Sequence, residues 1–191
     1  MSYLRGCTKE ERKVAYNIRI DDADIYPGGY RKFSGGRYGR SFAVGLPNDI
    51  VQVYKDRDDT PTGKILTPLD LIEDGWPVNT RENTQTQEVE YFLNVKLKYD
   101  RNRPEMDPQV WMGNEGQLDE DGRYMVSRIS EDNVGELDQA RIAHADVVIN
   151  AFNYLDDEEE VHISVFLKKL WAITKRRPDE RLYAMQEYPR E

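Results

Sequence analysis

The chain has 191 residues, 38% hydrophobic and 33% charged, with 36 acids against 27 lysines and arginines and a net charge of −9. That length suits one domain with a sizeable core; no apolar run approaches the ~20 residues of a membrane span, and a single cysteine, Cys7, excludes a disulfide framework or a cysteine-cluster zinc site. The acidic balance argues against coating duplex DNA through net charge alone, although local basic clusters can still bind phosphate.

Residues 1–13 form an N-terminal segment without the apolar stretch of a secretory signal, which points to the cytoplasm. From there the dominant period is two. Val14, Tyr16, Ile18 and Ile20 are separated mainly by polar residues, and Phe42, Val44 and Leu46 repeat the spacing. A strand sends alternate side chains to opposite faces, so each run is expected to be a strand with one buried face. Thr67-Pro-Leu-Asp-Leu-Ile-Glu-Asp-Gly75 carries an N-cap, a proline at the first helical position and a terminating glycine, which predicts a helix of two turns at most. Polar residues 79–88 read as a long mobile loop. Val89, Tyr91, Leu93, Val95, Leu97 and Tyr99 form the buried phase of a further strand, and residues 101–128, with Pro104, Pro108 and the acidic Asp119-Glu-Asp-Gly, read as a second long loop.

Ser130 caps a short helical turn with Val134 and Leu137 three apart; Gly135 weakens it by about 1 kcal/mol relative to alanine. Val147-Val-Ile-Asn-Ala-Phe-Asn-Tyr is apolar on both phases at its start and suits a central strand. Asp156-Asp-Glu-Glu-Glu160 is a like-charge stretch between two strong strands, hence a solvated hairpin tip. The last strand has Val161, Ile163, Val165 and Leu167 in phase, then Trp171 and Ile173; Lys169 breaks the phase and a bulge there restores it. Residues 184–191 are a C-terminal tail. Five to seven short strands with one or two short helices predict a mainly β domain over 14–183, an OB-like partly open barrel with a β-sandwich as the alternative.

Catalytic signals are weak. His144 sits beside Asp146, and His162 falls on the polar phase after Glu160. Neither is near a nucleophile motif, and Gly-x-Ser-x-Gly and Walker A patterns are absent from the sequence. Both histidines read as ordinary hydrogen-bonded surface residues, with no cofactor or metal, and the chain as a non-enzyme.

The informative segment is Gly28-Gly-Tyr-Arg-Lys-Phe-Ser-Gly-Gly-Arg-Tyr-Gly-Arg-Ser-Phe42. It lies in an acid-free stretch from Gly28 to Asn48 that holds four cations (Arg31, Lys32, Arg37, Arg40) and four aromatics (Tyr30, Phe33, Tyr38, Phe42). Phosphates need cations, and unstacked bases need flat apolar faces; stacking on an aromatic ring is worth about 1–3 kcal/mol per base. The alternative is a surface loop whose aromatics fold back on the core, where Phe42 belongs in either case. On the 89–99 strand the even phase leaves Phe92, Asn94, Lys96 and Lys98 outward, followed by Arg101 and Arg103, and the last strand's even phase carries Phe166 and Lys168. Together with the loop, these residues describe a groove able to follow one nucleic-acid strand.

The same residues carry a family resemblance. Ile25-Tyr-Pro-Gly-Gly-Tyr-Arg-Lys-Phe-Ser-Gly35, Gly39-Arg-Ser-Phe-Ala-Val-Gly-Leu46, Leu71-Ile-Glu-Asp-Gly-Trp-Pro-Val78 and Tyr91-Phe-Leu-Asn-Val-Lys-Leu-Lys-Tyr99 come in that order. They are followed by Leu137 through Tyr154 and by Val165-Phe-Leu-Lys-Lys-Leu-Trp-Ala-Ile-Thr174. The ordered set, over residues 14–183, resembles bacteriophage single-stranded-DNA-binding proteins with an OB fold. The resemblance implies single-stranded DNA as partner, a role in phage replication or recombination inside the bacterial host cell, contacts to phage or host replication proteins, and room for a homo-oligomer. Two departures stand out. Residues 105–128 are longer than the family's link, and Glu187-Tyr-Pro-Arg-Glu191 is not a long acidic recruiting tail. The rival reading from another class is a β-rich interaction or virion protein that binds no nucleic acid; an enzyme acting on nucleic acid is a third.

Overall fold

The structure is a computed structural model, and it describes residues 13–26, 32–37 and 39–175. Eleven strands and one α-helix account for most of these: β1 Asn17–Ile20, β2 Ile25–Tyr26, β3 Ser41–Gly45, β4 Ile50–Val53, β5 Pro61–Leu66, α1 Pro68–Glu73, β6 Asn79–Glu82, β7 Val89–Lys96, β8 Gln109–Leu118, β9 Tyr124–Ile129, β10 Ile142–Leu155 and β11 Val161–Thr174. Two short 3-10 turns, Pro104–Met106 and Val134–Asp138, complete the set.

The strand order explains the shape. A path runs β2-β3-β7-β11-β10-β1, and β1 and β2 are the two halves of one bent segment. The bend is pinned on both sides, by the Ala23 N–H donating to Ala145 O at 2.6 Å and the Gly45 N–H donating to Asp24 O at 2.9 Å. The sheet therefore curls back on itself. It stays partly open because β7 and β11, parallel neighbours, share a single register pair, Phe166 with Lys96. This is a mainly β, OB-like partly open barrel, as the alternation predicts.

The inward phase of each strand fills the barrel. Ile18, Ile20, Phe42, Val44, Leu93, Val95, Val147, Ile149, Val165, Leu167 and Leu170 are all buried in one core. The expected bulge is present one residue early: Val148 faces Lys169 while Ile149 faces Leu167, which leaves Lys168 without a partner in the ladder. That extra residue is why Leu167 and Leu170, three apart, can both point inward. Helix α1 forms where its signals lie. Thr67 and Asp70 make a reciprocal capping box, Pro68 opens the helix, and Gly75 follows its end at φ +86°. Trp76, just beyond, packs 5.2 Å from Tyr16 and donates its indole N–H to Val14 O at 3.1 Å.

The strand count exceeds the sequence expectation, and both long loops are corrected. Within 79–88, residues Asn79–Glu82 form β6 against β7, leaving only 83–88 as the connection. Within 101–128, β8 runs parallel to β11 and turns back as β9. Neither region alternates in hydrophobicity. β6 is Asn-Thr-Arg-Glu, and β8 carries Gly113 and Gly116. They are strands because a neighbouring strand offers backbone partners, a signal that the side-chain pattern does not carry.

Candidate nucleic-acid interface

The residues singled out from the sequence separate into four groups. Tyr30, Arg31 and Tyr38 lie outside the described residues.

Phe33 is a correction. It is fully buried, with its ring 4.9 Å from Phe42 and nearly parallel to it. A ring enclosed in the core cannot stack on a base. Its position is enforced by the backbone: the N–H groups of Phe33 (2.6 Å) and Ser34 (3.0 Å) and the Ser34 hydroxyl all donate to the Asp138 carboxylate. Arg40 belongs to the same fastening. Its guanidinium donates to Phe33 O at 3.1 Å, reaches Glu131 at 3.4 Å and lies over the Tyr99 ring. Burial pushes the Tyr99 phenol up to about 12, so the ring meets that cation as a neutral phenol. Arg40 is therefore a brace for the loop rather than a phosphate contact. Lys32 and Arg37 are exposed on this loop, which is closed by a Gly36–Gly39 bridge.

Lys168 is the second correction. As the bulge residue it turns toward the β4–β5 tip, where its ammonium lies 2.5 Å from Asp59; Lys169 meets the same carboxylate at 2.5 Å and Asp58 at 3.2 Å. Burial raises the Asp59 carboxyl, but hydrogen bonds from the two lysines outweigh it and hold Asp59 below the usual carboxylate range. An ammonium satisfied in this way is not offered to a phosphate.

The fourth group keeps the outward face of the barrel. Lys96 and Lys98 are exposed, and no ion pair reaches either of them among the described residues. Lys96 sits opposite Ser41 on β3 and Phe166 on β11. Phe92 shares their phase but not their surroundings. It lines a separate cavity of about 660 Å³ with Tyr26, Arg81 and the carboxylates of Asp22, Asp24 and Glu90. That end of β7 is acidic, so phosphates are not drawn along the full strand.

Register shows what the sequence reading left out. Phe166 faces Asn150 across β10, Phe152 faces Ser164, and Tyr154 faces His162. The rings of Phe152 and Phe166 meet edge to face at 6.0 Å, and Phe152 is 41% exposed. The Lys55 ammonium lies 5.2 Å from the Phe152 ring centroid while donating to Ala151 O at 2.6 Å; burial pulls its pKa down. A cavity of about 290 Å³ opens between Lys98, Asp100, Arg103, Met106, Phe152 and Phe166, with Arg103 paired to Asp100 at 3.7 Å. It falls just short of the ~300–1,000 Å³ of drug-sized sites, a space suited to one flat ring system. Phe152 and Tyr154 were legible in principle, since the even phase of β10 is aromatic and antiparallel to Phe166. Lys55 was not, because it comes from the tip of a hairpin whose strands give little alternation.

Both histidines meet carboxylates, and His162 clusters with Asp156 and Glu160. His144 Nδ1 is 3.1 Å from Asp22, and His162 Nε2 is 2.6 Å from Asp156. Asp156 organises the acidic turn by accepting the N–H groups of Glu158 and Glu160 at 2.9 and 2.8 Å; with the His162 contact, these hold its carboxyl below the usual range. No helix among the described residues is long and apolar enough to cross a membrane. No family model, curated protein or solved structure matches the chain.

Proposed function

We propose that this protein is a non-enzymatic binder of single-stranded nucleic acid, of the kind that phage single-stranded-DNA-binding proteins represent, serving replication or recombination in a bacterial host cell. The observation that carries the reading is the Phe152–Phe166 pair, Phe152 exposed and Phe166 half-buried, with Lys96, Lys98 and Lys55 around it. Outward rings beside cations suit successive bases and phosphates at once, and stacking tolerates any sequence because every base has a flat face. A duplex hides those faces and is recognised through a groove-filling element. Nothing on this face resembles a recognition helix.

The same reading fixes a path. A strand running along β7 would leave Lys98 and Lys96 and meet Glu90, Asp24 and Asp22. A strand crossing β7, β11 and β10 passes Lys98, Phe166, Phe152 and Lys55, with Lys32 on the loop beside β3 as a further phosphate contact. Crossing is therefore the favourable direction.

A salt series of fluorescence-anisotropy titrations tests this, using a labelled oligonucleotide single-stranded and annealed to its complement. The single strand should bind more tightly, and log K should fall linearly with log salt, at about 0.7 per phosphate contact. Equal or tighter binding of the duplex, or an affinity indifferent to salt, would overturn the proposal. No binding of either would favour the protein-interaction reading.

A further inference from the structure

Register fixes one row of residues across the outer face of the barrel. Lys96 on β7 sits opposite Phe166 on β11, and Phe166 sits opposite Asn150 on β10. Asn150 and Phe152 are two apart on β10 and share one side of the sheet. Both line the cavity of about 290 Å³ together with Phe166. The other groups in its wall are apolar, already engaged or turned to solvent. Leu167 is buried and Met106 is apolar. The Asp100 carboxylate accepts the Asn102 N–H at 2.9 Å and meets Arg103 at 3.7 Å. Lys98 is exposed. Asn150 differs from all of these. Its side-chain oxygen is buried and has no hydrogen-bond partner, beside both rings of the stacking pair. A buried polar oxygen normally has a partner, and an unpaired one is costly, so a ligand that supplies a donor is favoured there.

We propose that this cavity is a base-reading subsite. Asn150 accepts a hydrogen bond there from the exocyclic amino group of a nucleobase laid against Phe152 and Phe166, so amino-bearing bases are preferred to thymine. Such a subsite presupposes the nucleic-acid reading above and adds selectivity to it. Stacking alone is blind to the base. An amide is not, because it holds an acceptor and a donor in one plane, the pair that meets adenine's amino group and the adjoining ring nitrogen. The recess decides which bases profit. The Asn150 oxygen has almost no surface of its own, while the cavity lies against the same side chain. A part-turn about the soft Cβ–Cγ torsion brings that oxygen to the cavity wall, but still set back from it. A donor must therefore project beyond the ring edge to reach it. The amino groups of adenine, cytosine and guanine project in this way. Thymine's one N–H lies between two carbonyl oxygens, which meet the recessed acceptor first and repel it.

Anisotropy titrations of the full chain with two labelled single strands of equal length test this. One is built of deoxyadenosine and the other of purine deoxyriboside, which lacks only the 6-amino group. Wild type should bind the adenine strand about 2- to 12-fold more tightly, the range of one net hydrogen bond. It should also bind a deoxycytidine strand more tightly than a thymidine strand. Asn150→Ala should abolish both preferences and leave the affinity for the purine strand unchanged, because the rings remain. Asn150→Asp keeps an acceptor in place and should retain the adenine preference, at a lower overall affinity because its charge repels phosphate. Equal wild-type affinities for the adenine and purine strands would overturn the subsite and leave the stacking reading standing. A preference that survives in Asn150→Ala would overturn the role of Asn150. Binding of neither strand would remove the nucleic-acid reading and the subsite with it. The wild-type comparison needs no variant, so the test stays decisive even if a change at Asn150 disturbs the hairpin.

Discussion

Two parts of the molecule carry aromatic and basic residues side by side, and they use them in opposite ways. In the 32–42 segment the aromatics turn inward. Phe33 stacks on Phe42 in the core, held there by Asp138 on its backbone and by Arg40 from outside. On the β10–β11 face the aromatics stay on the outer side, with Phe152 exposed and Phe166 half-buried beside lysines. The first region is the richer in composition and the poorer in available surface. Composition says which chemistry a segment owns; register and backbone hydrogen bonding decide which side of the sheet it is shown to.

The largest expected effect breaks the first half of that contrast. Phe33→Ala should destabilise the protein by about 3–5 kcal/mol, because a ring packed on all sides leaves a cavity. Urea denaturation measures it. A ring serving as a stacking platform would instead leave the midpoint unchanged. Asp138→Ala removes the acceptor of two backbone N–H groups and one hydroxyl and should cost about 1.5–3 kcal/mol in the same assay. Asp138→Asn should recover part of that loss, since one amide oxygen can still accept.

Most of the frame was legible from alternation. Leu93, Val95 and Leu97 point inward as their spacing says, and the Thr67–Gly75 signals give α1 its start and stop. The phase break near Lys169 locates the bulge to within one residue. Strands recruited by backbone pairing alone were not legible. β6 is wholly polar, and β8 is interrupted by glycines, so neither shows which face it would bury. The site was legible in halves. The outward phase of Lys96 and Lys98 follows from their own strand. That Lys168 is neutralised by Asp59, or that Lys55 reaches Phe152, depends on how a distant hairpin tip folds over β10 and β11. Phe33 misleads because its neighbours in sequence are glycines and cations, while the group that buries it, Asp138, lies 105 residues away.

On the second half of the contrast, Lys96→Glu with Lys98→Glu should weaken single-strand binding and flatten the salt slope by about 1.4, two contacts at 0.7 each. Lys64→Glu, on the β5 edge, is the control and should do much less. Equal effects from the pair and the control would mean diffuse electrostatics instead of a defined face. The smallest effect is in pH. The folded-state pKa of Asp59 is depressed, so the stability it contributes with Lys168 and Lys169 is complete above the ordinary carboxylate range. That contribution is lost as pH falls through the depressed value. Denaturation midpoints at neutral and acidic pH should show a component that Asp59→Asn lacks.

The central claim is that the outward β10–β11 rings, and not the loop aromatic, contact nucleic acid. Its most direct test is the single-strand affinity of Phe152→Ala with Phe166→Ala, measured by anisotropy on protein shown to be folded by its unchanged near-native melting cooperativity. At about 1–3 kcal/mol for a stacked base, the affinity should drop by roughly 5- to 150-fold for each base that loses its platform. Wild-type affinity in a folded double variant would contradict the account.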